Sequence, residues 1–165
     1  LGELHKGWAL SNEWLSTART SLAARCNGAA AQAIKLARDH SVSRVQFGQP
    51  LGDFQAIQFM LAECATDLYA SRWMTYKTAW EEDNKADDPR AMNEKSSMCK
   101  YFAAESLGRT VDKCLQIHGG MGYMKESPIE RIYRDARIER IWEGSSQMML
   151  RNIGHGLRKR GTIHW

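Results

Sequence analysis

Apolar positions recur along the chain at three- and four-residue intervals, the spacing of one face of an α-helix. Over 6–40 the row Trp14, Ala18, Leu22, Cys26, Ala29, Ala33 and Ala37 predicts one long helix with a mostly alanine stripe. Gly28 lies inside that run. A glycine there costs about 1 kcal/mol against alanine, so close packing against a neighbour is expected. A second run, 53–84, carries Phe54, Ile57, Leu61, Cys64 and Leu68, the seam of a helical bundle. Asp87-Asp88-Pro89 has the form of a helix start, with acids at the positive end of the dipole and proline in the first turn. The helix behind it runs to about residue 117 through Met98, Phe102, Val111 and Leu115, and Gly119, Gly120 and Gly122 break it sharply. A short helix over 129–135 and a last one over 145–159 complete the set. No stretch alternates as a strand does, and Pro50, Pro89 and Pro128 all fall at joints. The expected fold is all-α: an antiparallel, up-and-down four-helix bundle with a short extra helix, forming one domain over 1–165 without internal repeats.

Composition narrows the class. The 165 residues, 43% of them hydrophobic, are enough for a real core. Lys and Arg total 23 against 19 Asp and Glu. A net charge of +4 spread over the chain argues against a nucleic-acid binder, and Arg158-Lys159-Arg160 reads as a solvated helix end. Cys26, Cys64, Cys99 and Cys114 show no metal-ligand spacing and sit in apolar register, so four buried thiols are expected and no metal site. No apolar run is long enough to span a bilayer. The chain begins at Leu1, which suggests a piece of a longer polypeptide. Trp73, Met74, Tyr76 and Trp80 exceed what one helix seam can bury, which points to self-association, at least as a dimer.

Two stretches carry more than a bundle needs. The first is Arg44-Val45-Gln46-Phe47-Gly48-Gln49-Pro50-Leu51 with Phe54-Gln55 behind it. A joint needs Gly and Pro; it does not need an arginine fork suited to phosphate beside an aromatic ring suited to stacking on a base. Taken by itself, a connecting turn with a snorkelling arginine is the simpler explanation of the stretch. The second runs from Gln116 to Gln147 and contains Gln-Ile-His-Gly-Gly-Met-Gly-Tyr, Arg-Asp-Ala-Arg and Ile-Trp-Glu-Gly-Ser-Ser-Gln. Its glycines let a ligand approach the backbone. Glu143 follows the apolar Ile141 and Trp142, neighbours suited to a general base, and precedes Gly144 and a serine pair able to cap the last helix. An ordinary acidic residue at a helix N-terminus has the same signature. His118, with no partner at metal spacing, reads as a structural or cofactor-packing histidine.

Taken together these stretches resemble the acyl-CoA dehydrogenase family. Arg44 to Gln55 matches RxxFGxPLxxFQ, Gln116 to Tyr123 matches QIHGGxGY, and Arg134 to Gln147 matches RDARIxxIWEGSSQ, in the family's order and spacing. The opening Gly-Glu…Lys-Gly-Trp resembles the segment leading out of the family's middle β-domain. The resemblance implies the C-terminal helical domain of a flavoenzyme, with the N-terminal helical and β domains outside this chain. It further implies α,β-dehydrogenation of an acyl-CoA thioester, FAD as cofactor, electron-transfer flavoprotein as electron acceptor and a dimeric or tetrameric assembly. The bacterial cytoplasm or the mitochondrial matrix is then the expected location. Glu143 takes the position of the carboxylate that removes the α-proton, and its backbone N–H that of a donor to the thioester carbonyl. Some members carry the base on the first helix; the matching position is Ala18, which cannot serve.

By the same resemblance Arg44, Gln116 and the Gly119-Gly120 backbone match residues holding the FAD pyrophosphate of a neighbouring subunit. Gln46, Phe47, Phe54, Gln55 and Ile117 belong to the surroundings of that cofactor. Ser145 and Gln147 match nucleotide contacts on the Glu143 side. Arg19, with Glu143 and Gly144, lies on the substrate side, and an aspartate expected three residues before Arg19 is Ser16. Two other readings stand beside this one: a family relative with different flavin chemistry, such as oxidase activity or enoyl-CoA reduction, and a catalytically silent helical oligomerisation module. The isolated chain is expected to hold little FAD.

Overall fold

A computed structural model describes residues 2–85 and 88–160. Four long helices carry the fold: α1 (Gly7–Ser43), α2 (Gln55–Asp83), α3 (Pro89–His118) and α6 (Ser146–Arg160). Between α1 and α2 lie β1 (Val45–Gln46), β2 (Gln49–Pro50) and a 3₁₀ turn, Leu51–Asp53. One helical turn, α4 (Gly120–Tyr123), then α5 (Pro128–Ala136) and a second 3₁₀ turn, Arg137–Arg140, separate α3 from α6. The up-and-down bundle and its short extra helix are as expected, with each main helix within three residues of its predicted ends.

Local chemistry explains the ends. Asp88 caps α3 by accepting from the backbone N–H of Arg90 and Ala91 at 2.8 and 3.1 Å, and Pro89 opens the helix where its missing N–H costs nothing. Pro128 does the same for α5. The α1–α2 joint holds what alternation could not predict, a two-residue-by-two-residue antiparallel hairpin pairing Val45 with Pro50 and Gln46 with Gln49. Its tip, Phe47 and Gly48, has φ of 52° and 84°, the left-handed pair that a tight hairpin turn demands. After α3, Gly119 ends the helix as expected, but Gly120 restarts one turn.

Helix α3 is the axis. Cys99, Ala103, Ala104, Leu107, Val111, Cys114 and Ile117 are buried against Leu22, Cys26, Ala30, Ala33 and Ala37 of α1, Cys64 of α2 and Ile129 of α5. Alanines on α1 have little rotamer entropy to lose, and they let that helix lie close on α3. All four thiols are buried, and burial raises that of Cys26 to about 12. A polar knot ties three helices: Asn27 donates to Thr75 Oγ1 at 2.9 Å, Ser71 donates to Asn27 Oδ1 at 2.5 Å, and Cys99 Sγ lies 3.5 Å from Thr75 Oγ1. Each buried polar atom there has a partner, which burial requires.

Two expectations on α1 fail. Trp14 is 65% exposed rather than part of the seam. Gly28 packs against nothing: it is exposed, and a Cβ there would meet no atom within 4 Å. Position 28 faces outward, one step from the Ala29–Ala30 edge of the stripe, so its spacing alone overstated its contacts.

Candidate functional site

Helices α1 and α3 run parallel, His40 beside His118 at one end and Arg19 beside Asn93 and Ser97 towards the other. The predicted residues therefore gather in two places. One is the end of the bundle where α1 stops, the hairpin projects, α2 begins and α3 stops. The other lies around residues 19–25 of α1 and 97–100 of α3. From Lys100 to His118 is roughly 27 Å along α3 at 1.5 Å per residue.

At the bundle end the residues present are chemically suited to a nucleotide. Arg44, Gln46, Phe47, Gln55 and Gln116 are exposed, and Arg44 makes no ion pair among the described residues. Phe47 is 94% exposed in a left-handed conformation, an uncommon choice for an aromatic residue that aims its ring off the hairpin tip. Its ring meets Phe54 edge-on at 6.4 Å. Above Gly119 and Gly120 a Cβ would find open space, so the backbone there is free to be approached. Gly122 differs: its Cβ would lie 2.7 Å from the Leu115 carbonyl oxygen, so that glycine serves the chain's own packing. Ile117 is buried in the core and has only backbone to offer a ligand. His118 makes contacts within its own fold. It stacks on His40 with ring centroids 4.6 Å apart, and its Nδ1 lies 2.7 Å from the Cys114 carbonyl oxygen. Burial, then His118 and Arg44, holds His40 below the ordinary histidine range.

The second place is built around a turn. Glu143 and Gly144 have φ of 53° and 99°, two successive left-handed residues between the 3₁₀ turn and α6. Gly144 suits this; a Cβ there would also meet the Met149 methyl at 2.6 Å. Behind the turn, Ser145 sits just before α6, its Oγ accepting from Met148 N–H at 3.4 Å, while Ser146 donates to Glu105 at 2.6 Å. Both carbonyls of the turn meet buried cations. Arg19 Nε approaches the Glu143 carbonyl oxygen at 3.5 Å and its Nη1 donates to Asn93 Oδ1 at 2.6 Å. Lys100 Nζ donates to the Gly144 carbonyl oxygen at 2.7 Å. Burial lowers the proton affinity of both cations, with Glu143 opposing the shift at each. The carboxyl oxygen Oε2 of Glu143 is buried and has no hydrogen-bond partner. That leaves a lone pair uncommitted, as a proton acceptor needs.

Glu139 braces the same turn from below. It is buried, takes a bidentate pair from Arg25 at 3.1 and 3.0 Å, and accepts the indole N–H of Trp142 at 2.8 Å. The Arg25 guanidinium also lies 4.8 Å from the Trp142 ring centre. Sequence reading missed Arg25, Asn93, Lys100 and Glu139. Only Lys100 carried a signal: it falls on the core-facing row of α3 between Ser96 and Ala104, where a lysine has no ordinary place. Ser16, standing where an aspartate was expected, faces α3 with its Oγ 3.2 Å from Ser96 Oγ. Ala18, half-buried, has no titratable group to offer. No metal-ligating cluster occurs among the described residues, and none of their helices is long and apolar enough to cross a membrane.

Comparison with known proteins follows this geometry. The family model described as acyl-CoA dehydrogenase, C-terminal domain, matches residues 5–158. A 3-(aryl)acrylate reductase of Clostridium sporogenes is 43% identical over 161 residues, 96% of this chain and 41% of that protein. A subunit of the caffeyl-CoA reductase–Etf complex of Acetobacterium woodii is 39% identical over 160 residues, 97% of this chain and 41% of its own. The solved butyryl-CoA dehydrogenase of Megasphaera elsdenii superposes with a TM-score of 0.91 at 35% identity, covering 96% of this chain and 40% of that one. The chain thus spans about two fifths of the length of the relatives it matches.

Proposed function

Since the chain belongs to the acyl-CoA dehydrogenase family, matching its C-terminal domain, we propose that Glu143 exchanges the α-proton of an acyl-CoA thioester in a flavoenzyme of which this chain is the C-terminal part. The observation that carries this reading is the unpartnered, buried Oε2 of Glu143 on a turn held by two cations. A base must keep a lone pair free and be held within hydrogen-bond reach of the proton it takes. In the dehydrogenating direction Glu143 removes the α-proton, and its backbone N–H stabilises the negative charge that develops on the thioester carbonyl.

The cofactor that fits the bundle-end residues is FAD, which when bound supplies the acceptor of the β-hydride. Arg44 and Gln116, with the Gly119–Gly120 backbone, would hold its pyrophosphate; Gln46 would belong to the surroundings of the cofactor, and Phe47, Phe54 and Gln55 would lie against its adenine end. Ser145 and Gln147 would meet a flavin nucleotide on the Glu143 side. The roughly 27 Å between these two sets along α3 favours a site completed by a neighbouring subunit. The exposed row Tyr69, Trp73, Tyr76 and Trp80 on α2 supplies apolar surface for such an assembly. Electron-transfer flavoprotein is the proposed redox partner, in the bacterial cytoplasm or the mitochondrial matrix.

A second reading has its own support: two of the relatives at 39–43% identity are reductases of unsaturated acids or thioesters. Run in reverse, the same geometry lets Glu143 deliver the α-proton while the hydride arrives at the β-carbon.

The test is Glu143→Gln in the full-length polypeptide. The amide keeps the shape and the backbone N–H but accepts no proton, so turnover in either direction should fall by about 10²–10⁴ with flavin content unchanged. Substantial turnover with an artificial electron acceptor or donor would refute the assignment.

A further inference from the structure

Resting on the assignment of Glu143 as the base, we propose that Lys100 is its positioning residue, its buried ammonium gripping the Gly144 carbonyl and so fixing the turn that aims the carboxylate. Lys100 is wholly buried, at 0% exposure, on the core-facing row of α3. Burying an ammonium is costly, and a core position of this volume is filled at less cost by an apolar side chain. Packing alone therefore does not account for a lysine here. What the lysine does is donate to the Gly144 carbonyl oxygen at 2.7 Å.

The consequence runs through the backbone. A trans peptide is planar, so a carbonyl drawn into the core turns the N–H of the same peptide outward. Lys100 thereby sets the Gly144–Ser145 peptide at the start of α6, and Arg19 acts on the Glu143–Gly144 peptide at 3.5 Å. With both peptides held from inside, a left-handed Glu143 persists although such a backbone disfavours a non-glycine residue.

Charge acts in the same direction. Arg19 and Arg25 of α1 and Lys100 of α3 all interact with Glu143; Cys26, Glu139 and Arg19 share the surroundings of Lys100. Removing the Lys100 charge takes away one of the three cations that attract the Glu143 carboxylate, leaving Glu139 close by.

The experiment compares Lys100→Met, Lys100→Gln and Glu143→Gln with the wild type in the flavin-loaded, full-length enzyme. Flavin content, thermal stability, kcat and KM for the thioester are measured for each. Lys100→Met should keep its flavin and lose about tenfold or more in kcat with KM changed less than about threefold, as expected of a misaimed base. Lys100→Gln keeps an N–H donor for the Gly144 carbonyl without the charge; it should recover part of kcat. Wild-type kcat in flavin-loaded Lys100→Met, or a loss of equal size in KM and kcat, would overturn the proposal. So would failure of both Lys100 variants to fold with flavin, which would make the residue purely structural. Retained activity in Glu143→Gln would sink the underlying assignment instead, whatever Lys100 does.

Discussion

Replacing Glu139 with alanine should loosen the floor of the Glu143 turn by an amount the structure lets one estimate. Glu139 makes three charge-assisted contacts, two from Arg25 and one from Trp142. The Arg25 side chain is 51% exposed while that of Glu139 is only 10% exposed. Water can take over much of what Arg25 loses, so the ion pair contributes about 1 kcal/mol, the upper end for an exposed pair. The Trp142 N–H bond to a carboxylate contributes about another 1 kcal/mol. A total near 2 kcal/mol corresponds to a drop in Tm of about 4–8 °C for a domain of this size. Circular dichroism melts of wild type, Glu139→Ala, Arg25→Ala and the double variant would measure both the loss and the coupling. The cycle should return about 1 kcal/mol between Arg25 and Glu139. A change in Tm below about 1 °C for Glu139→Ala, or a coupling near zero, would show that Glu139 braces nothing.

Two further outcomes test other parts of the molecule. The double change Trp73→Ser and Trp80→Ser removes two rings that are 61% and 59% exposed; sedimentation should show weaker self-association with helix content unchanged, and an unaltered size would place the interface elsewhere. Burial beside His118 and Arg44 depresses the proton affinity of His40 in the folded chain, so the unfolded chain binds a proton there first. Stability should therefore be fully present above pH 6.5, the ordinary histidine value, and fall as pH drops from there through the lower folded value. His40→Gln should flatten that slope, and an unchanged pH dependence of Tm would contradict it.

The order of the four long helices, with the short one before the last, was legible in the residues because amphipathic spacing and terminator chemistry are local, whereas the single turn α4 was not foreseen. Asp88-Pro89 and Pro128 mark starts by what they do to their own backbone, and Arg44, Glu143 and the glycine motifs stand out because a bundle does not need them. Which side of a helix faces a neighbour is less local. Trp14 and Gly28 share a helix with a well-read seam, yet both are exposed and lie off it. Only tertiary structure decided that Arg44 and Glu143 lie in separate places, since their separation is set by the parallel run of α1 and α3. Only it brought Lys100, 43 residues before Glu143, onto the carbonyl next to that carboxylate. Spacing along a chain records which residues share a face; which distant charge meets which peptide depends on how the faces are stacked, and that is settled by packing.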